Sequence, residues 1–319
     1  MINKLKNSVL DFLFKNQTIP SFPNFKKISL SDRASLEAMV GHRYPYSTFN
    51  FTNLWAWDIH HTRMISSLNG NLVLLFTEYE SNKPFLFFHG KNRPVHTAKG
   101  LLSFAQSHDI STSLRFITEE TSELLKSSDF LIEEDVDNSD YIFSTEKISE
   151  SKGQMYKSKR LLAKTFISKN PDAILEIRDL SNEQLKEDVY SVLKRWEQNK
   201  SALNKSFDLK NEEIALSRLF KEPNEHRLIF TSITVKGEMV GFSIDEILPG
   251  KYAMAHFIKA DVTHKGIYEY LNEMTARYLL VNGVDYWNWQ QDLGIRGLRK
   301  VKQSYRPVHM LRKFTVTLK

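Results

Sequence analysis

Between Asp285 and His309 the sequence DYWNWQQDLGIRGLRKVKQSYRPVH gathers cations, glycines and Asp292 in a spacing suited to a phosphate-bearing ligand. It reads as a short strand, Asp285 to Trp289, then a turn through Asp292 and Gly294-x-x-Gly297, then a basic helix that Pro307 ends. At ~100° per residue, Ile295, Leu298, Val301 and Tyr305 share one apolar face, and Arg296, Lys300 and Gln303 point away from it. Arg299, Lys302 and Arg306 fall on the flank, where cations reach into a pocket while their stems pack on protein. Glycines just before a helix N-terminus leave backbone N–H groups for an anion. Lysine beside an apolar stripe is costly without a partner, which favours a functional role for Lys302 over a purely structural one. Asp292 has two readings of equal weight: a working carboxylate, or a cap on the Gly294 turn and the helix.

The elements that must position these groups can be read from the pattern. Residues 1–29 suggest a short amphipathic helix and an extended arm, and Ser31 to Met39 a helix capped by Ser31 or Asp32. In YPYSTFNFTNLWAW, Phe51, Leu54 and Trp55 are expected in a core helix, and Tyr46, Ser47 and Asn50 are the polar groups placed to face a cleft. Three strands follow, from Arg63, Leu72 and Phe85, with an Asn69-Gly70 hairpin and a turn from Ser81 to Pro84. A helix carrying Ala98, Leu101, Leu102 and Ala105 comes next, then strand, short helix, and a strand from Phe130 leading into DNSDYIFS. The same order recurs: strands from Leu228, Met239 and Tyr252 with a Lys236-Gly237 turn, a helix with Ile267, Leu271, Met274 and Tyr278, and the Asp285 strand. A final strand runs from Val308 to Leu318. The hairpin turns stand at 69 and 236 and the following helices begin near 95 and 264, nearly equal offsets that argue for two copies of one unit. Between them lie the basic segment Lys152 to Lys169, a strand at Ile174 to Ile177, and a helix with Leu185, Val189, Val192, Leu193 and Trp196 on one stripe. The expected boundary gives domains 1–150 and 151–319.

Composition narrows the class. The chain has 319 residues, 41% hydrophobic and 26% charged, which is globular. Its 44 Lys and Arg against 38 Asp and Glu give a formal charge of +6, a mild bias to anionic partners. With no cysteine, disulfides, thiolate metal sites and cysteine nucleophiles are excluded. No apolar run approaches the ~18 residues of a membrane span, so a cytoplasmic location is expected, with peripheral membrane contact by the first helix the lesser reading. Adjacent His60 and His61 diverge, and no spacing suits a metal, so none is expected. His256, in a strand with apolar neighbours, reads as a core histidine.

Three stretches resemble the C-terminal domain of phosphatidylglycerol lysyltransferases, a tandem GNAT-like fold related to the Fem-type peptidyl transferases. In the aromatic stretch they are Ser47, Phe49, Leu54, Trp55 and Trp57. Between the halves they are Asp140-Tyr141-Ile142, Gly153, Tyr156, Lys159, Arg160 and Phe166. Near the end they are Asn288, Asp292, Gly294, Gly297-Leu298-Arg299-Lys300, Lys302, Tyr305 and Pro307. Gln290 stands where that pattern is expected to have Glu, and Phe143 where Tyr is common. The fold implied is α+β: two tandem GNAT-like (acyl-CoA N-acyltransferase-like) domains with mixed, mainly antiparallel sheets flanked by helices.

The resemblance implies an aminoacyl- or acyltransferase that moves its group from a phosphate-bearing donor to an amine or hydroxyl, with its site between the two domains. No tightly bound cofactor is expected; the donor is an aminoacyl-tRNA or an acyl-CoA. Lys302, Asp292 and Arg299 would be catalytic, with Arg299, Lys302 and Arg306 neutralising phosphate or the developing oxyanion. Asp292 or Asp140 would accept a proton or hold an α-ammonium group. Asn288, Arg306, Tyr305, Gly294, Gly297, Asp140, Tyr46 and Asn50 would contact substrate, and Lys159 and Arg160 would follow an RNA backbone. Acetyl-CoA enzymes hold pyrophosphate on a glycine-rich loop; here Asp261 to Gly266 has one glycine, with Lys265 supplying charge, which favours aminoacyl-tRNA. The alternative is a non-catalytic protein that keeps the fold and binds RNA or an acyl carrier. Acceptor and oligomeric state are not specified by the sequence.

Overall fold

The computed structural model describes residues 19–319 except 42–44, 78–82, 127–128, 179, 182 and 202–209. The amphipathic helix expected at the start and the first half of the turn expected from Ser81 to Pro84 lie outside the described residues. In chain order the first elements are β1 (Lys26–Lys27), α1 (Arg33–Val40), α2 (Phe51–Ala56), β2 (Met64–Leu68), β3 (Asn71–Thr77), β4 (Pro84–His89), α3 (Pro94–Ser107), β5 (Leu114–Thr118), α4 (Glu119–Leu125) and β6 (Phe130–Glu134). Then come β7 (Asp140–Ser144), α5 (Thr145–Glu150), α6 (Lys157–Lys169), β8 (Ile174–Arg178), α7 (Glu183–Ser201), α8 (Lys210–Lys221), β9 (Leu228–Val235), β10 (Glu238–Leu248) and β11 (Tyr252–Ala260). The chain finishes with α9 (Ile267–Val281), β12 (Tyr286–Asn288), α10 (Arg296–Ser304), β13 (His309–Leu311) and β14 (Lys313–Leu318).

These form two mainly antiparallel sheets flanked by helices, the α+β class expected. One sheet runs β1-β2-β3-β4-β5-β14-β6, the other β13-β7-β12-β11-β10-β9-β8. In the first, β2, β3 and β4 make an antiparallel meander and β5 lies parallel to β4 after α3. In the second, β9, β10 and β11 make the meander and β12 lies parallel to β11 after α9. The hairpins close as read: Asn69 and Gly70 have φ 55° and 78°, Lys236 and Gly237 φ 52° and 83°. Positive φ at both central residues matches the right-handed twist of the strands.

Contacts divide the chain into two compact units. One holds the described residues of Met1–Tyr44 with Thr48–Ser139 and Leu311–Lys319; the other holds Pro45–Ser47 and Asp140–Met310. This division changes at Asp140, and the last strand belongs to the first unit. The segment read as one strand from Val308 to Leu318 is two. His309–Leu311 joins the sheet of β7, and Lys313–Leu318 pairs with β5 and β6.

The cores form where the pattern placed them. In α2, Phe51, Leu54 and Trp55 are buried; in α7, so are Leu185, Val189, Val192, Leu193 and Trp196. Burying each such aliphatic side chain contributes roughly 1.5–3 kcal/mol. In α9 the buried apolar residues are Ile267, Leu271, Ala276 and Leu279, and the expected Met274 and Tyr278 are only half-buried. The aromatic core beneath the C-terminal turn joins Tyr141, Phe143, Trp287, Trp289 and Tyr305 to Ala276 and Leu279.

Candidate functional site

All parts of the C-terminal site lie within the second unit. Strand β7 supplies Asp140 and Tyr141, and β12, antiparallel to it, ends at Asn288. The chain then leaves the sheet through residues 289–295, with Gln290 at φ 59°, Leu293 at φ 56° and Gly294 at φ 72°. Such left-handed positions turn the backbone sharply and bring successive carbonyls to one side. Lys302, from α10, reaches into that turn: its Nζ donates to the carbonyls of Trp289 at 2.6 Å, Gln290 at 3.1 Å and Gln291 at 2.6 Å. An ammonium has three N–H donors, and here each finds a backbone acceptor. Carbonyls of its own chain thus offset the cost of burying Lys302, and that cost no longer points to a bound substrate.

This geometry corrects the expected helix face. Ile295 and Val301 are 45% and 50% exposed, whereas Lys302 is buried at 6% and Tyr305 at 3%. The inward row is Leu298, Lys302 and Tyr305, with Arg299 half-buried beside it. A lysine whose charge is fully hydrogen-bonded takes an inward position that a pattern of apolar residues assigns to Val301. Arg296, Lys300 and Gln303 are exposed, as read.

Asp292, fully buried, is the second anchor. Arg299 grips it with a two-pronged bond, Nε to Oδ2 at 2.8 Å and Nη2 to Oδ1 at 2.8 Å. The Tyr141 hydroxyl donates to Oδ2 at 2.6 Å and the Gly294 N–H to Oδ1 at 2.9 Å. Burial alone would raise the Asp292 pKa. The hydrogen bonds from Arg299, Tyr141 and Gly294 and the Arg299 charge outweigh it and hold the carboxyl below its usual range. The Tyr141 phenol is pushed up to about 12, by burial first and by Asp292 second, so it remains a donor. Asp292 thus caps the Gly294 turn; the helix N-cap itself, Ile295, has no side-chain cap bond.

Asp140 centres a third set of bonds. It accepts from the Ser47 N–H at 2.7 Å, the Ser47 hydroxyl at 2.6 Å and Asn288 Nδ2 at 3.2 Å. Asn288 also donates to the Pro45 carbonyl at 2.7 Å and accepts from the Gln290 N–H at 2.6 Å. Gln290, in the position expected to carry Glu, donates its amide to the Ala255 carbonyl at 2.6 Å. That bond bridges β11 and the departing chain just past Met254, where β12 stops pairing with β11. A carboxylate could not donate there. Ser47, expected to face a cleft, and Tyr141 and Gln290, to which sequence reasoning assigned no contact with substrate, therefore belong to the network. Their signal was neighbourhood: each sits in one of the three aromatic-rich motifs.

The other expected residues are distributed. Tyr305 is core: it meets Trp289 edge-on at 4.8 Å, receives a bond from Asn272 at 3.1 Å, and burial raises its pKa. Lys159 lies 3.4 Å from Glu269 and 4.1 Å above the Tyr305 ring. Arg160, its neighbour, turns instead to the carbonyls of Ser151 and Gly153. The two cations expected to follow one backbone thus have different surroundings. Gly297 is the second residue of α10 and a Cβ there would meet nothing within 4 Å. Arg306 is exposed, with φ 56°. Tyr46 is buried in the second unit. Asn50, in the first, caps α2 by accepting from the Asn53 N–H at 2.8 Å. Lys265 is exposed, outside this network. In its loop Gly266, φ 89°, lies so close to α6 that a Cβ would fall 2.0 Å from the Leu162 carbonyl oxygen. His256, read as core, lies 3.2 Å from Glu246, each with 1% side-chain exposure. Among the described residues no cluster of His, Asp or Glu is arranged to hold a metal.

The order β7, β12, Asp292 turn, α10 is the interdomain and C-terminal signature in three dimensions, and a family description, phosphatidylglycerol lysyltransferase, C-terminal, matches residues 43–317. The chain belongs to that family. Solved structures carry the same fold. A Bacteroides thetaiotaomicron conserved protein of unknown function is 23% identical, with 95% of this chain and 100% of that one covered and a TM-score of 0.81. L-PGS from Bacillus licheniformis is 14% identical over 95% of this chain and 94% of its own, TM-score 0.61. A C-terminal domain assigned to an Agrobacterium fabrum lysylphosphatidylglycerol synthetase is 11% identical over 90% of each, TM-score 0.62. At these identities the likeness is one of fold. No curated protein matches the chain. Among the described residues of this phosphatidylglycerol lysyltransferase C-terminal family member, no helix is long and apolar enough to cross a membrane.

Proposed function

We propose that the protein is an aminoacyl- or acyltransferase whose donor carries phosphate, and that α10 with its preceding turn receives that donor. The family's name describes transfer of a lysyl group, and membership rests on a match over residues 43–317. The observation that carries the reading is the Asp292–Arg299 fork. A buried carboxylate fixes the guanidinium in one orientation while its side chain keeps 32% exposure. An arginine held this way is pre-organised for a phosphate or a developing oxyanion. Arg306 and the N–H groups of the first turn of α10 add to the same field.

The roles follow from what each group is already bonded to. Lys302 is a positioning residue, holding the 289–291 carbonyls. Asp292 positions Arg299. Asp140, bonded to Ser47 and Asn288, is the carboxylate assigned to accept a proton or hold an α-ammonium group. Aminoacyl-tRNA is favoured over acyl-CoA, because the Gly266 loop carries one glycine and α6 packs against it. The test is consumption of donor: the protein is incubated with charged tRNAs and with acyl-CoAs, and loss of the ester or thioester is followed. Turnover of neither class would sink the transferase reading.

A second reading is a non-catalytic binder of RNA or an acyl carrier. Gln290 favours it, since an amide bonded to Ala255 stands where the pattern is expected to have a carboxylate. RNA binding that weakens steeply with salt, with no turnover, is the result that reading predicts.

A further inference from the structure

Helices α6 and α9 of the second unit flank a groove of about 410 Å³, within the size range of small-molecule sites. Phe166 and Tyr270 stack at 5.2 Å, and both Ala163 and Tyr270 line the groove. Two guanidiniums are built into its wall. Arg160 donates to the carbonyls of Ser151 and Gly153. Arg277 Nε donates to the Ser149 carbonyl at 3.2 Å, and its Nη2 to Glu273 at 2.5 Å. Arg160 is therefore held by the turn that follows α5, where Ser151 and Gly153 have φ 46° and 83°, and Arg277 by α5 itself. Lys164, one helical turn beyond Arg160, is exposed on the same wall, and no hydrogen-bond partner for it is found among the described residues.

The charges decide what such a groove takes. Glu273 accepts a hydrogen bond from Arg277 and feels the charges of Arg160 and Lys164, which line the same groove, so three cations offset one carboxylate. Glu150, at the rim, is paired with Lys152 at 2.7 Å. The surplus calls for an anion, and fixed guanidinium forks match the oxygens of phosphate. The two carboxylates accept hydrogen bonds and repel a bare anion, so they suit a ligand that also brings hydroxyl groups. We propose that this groove binds a small hydroxylated phosphate ester, of the sugar-phosphate class, with its phosphate on Arg160, Lys164 and Arg277 and its hydroxyls toward Glu150 and Glu273. None of these groups belongs to the Asp292–Arg299 network, and Arg160, expected from the resemblance to follow an RNA backbone, is the one residue the groove shares with the transferase reading.

Titration calorimetry of the full chain at low ionic strength tests it, with glucose 6-phosphate, inorganic phosphate and glucose as probes. Saturable binding of glucose 6-phosphate, weaker binding of inorganic phosphate and none of glucose are expected. Lys164→Gln removes one exposed charge and weakens glucose 6-phosphate about fivefold. Ala163→Met fills the groove and abolishes binding, with a thermal melt confirming that the variant folds. No saturable heat with either phosphate, or the same affinity in both folded variants, overturns the proposal. Inorganic phosphate binding as tightly as the ester would overturn the hydroxyl contacts.

Discussion

Lys302 gives its donors to three carbonyls of one turn, and Asp292 gives its oxygens to Arg299, Tyr141 and Gly294. Each buried charge thereby holds a loop in place, and each can be tested by its effect on stability. Lys302→Met keeps the stem and removes the donors. It leaves buried carbonyls unsatisfied and should cost about 2 kcal/mol or more, read from urea unfolding. Unchanged stability would mean that the ammonium does not hold the turn. Asp292 makes a prediction in pH. Its folded pKa lies below its unfolded one, so the stability it contributes is present above the unfolded value of about 4 and is lost as pH falls through the folded value. The gap between wild type and Asp292→Asn should therefore be wide at about pH 7 and close progressively below about pH 4. A gap independent of pH would contradict the ion pair as its source.

At the scale of elements, the Gly294-x-x-Gly297 pattern covers two unlike positions. Gly294 sits at φ 72° in the Asp292 turn, and Gly297 lies in α10 with open space around a would-be Cβ. Gly294→Ala should lose about 1 kcal/mol, and Gly297→Ala should gain about 0.5–1 kcal/mol, in chemical denaturation. If Gly297 must let a donor approach the helix end, the alanine variant will be more stable and yet bind or turn over donor less well. The turn signals and the long periodic helices were legible because each depends on local chemistry: Asn69-Gly70 on positive φ, α7 on a single apolar stripe. The inward row of α10 was not legible. It depends on carbonyls collected by Gln290, Leu293 and Gly294, and no periodicity marks a lysine that satisfies them. The break at Arg312 was equally hidden, because a change of sheet leaves both sides extended.

Across the whole molecule, the α+β class and family were readable from the order of elements and three motifs, while the division of the chain was not. The last strand belongs to the first unit, pairing with β5 and β6. Truncation just before Lys313 should therefore unfold or expose the first unit's sheet, since it removes a strand from between two others. Protease resistance of residues 48–139 in the shortened protein would argue that β14 is dispensable. The proposed transfer of an aminoacyl group is likewise a claim about the molecule as a whole.

That claim is tested most directly by the rate at which the protein removes the aminoacyl group from charged tRNA, compared between wild type and Arg299→Lys. The variant keeps a positive charge beside Asp292 and loses the two-pronged fork. Measurable transfer by the wild type and a loss of about tenfold or more in a folded variant are predicted, the loss corresponding to ~1.4 kcal/mol of transition-state stabilisation. Ester loss no faster than without protein, or an undiminished rate in Arg299→Lys, would contradict it.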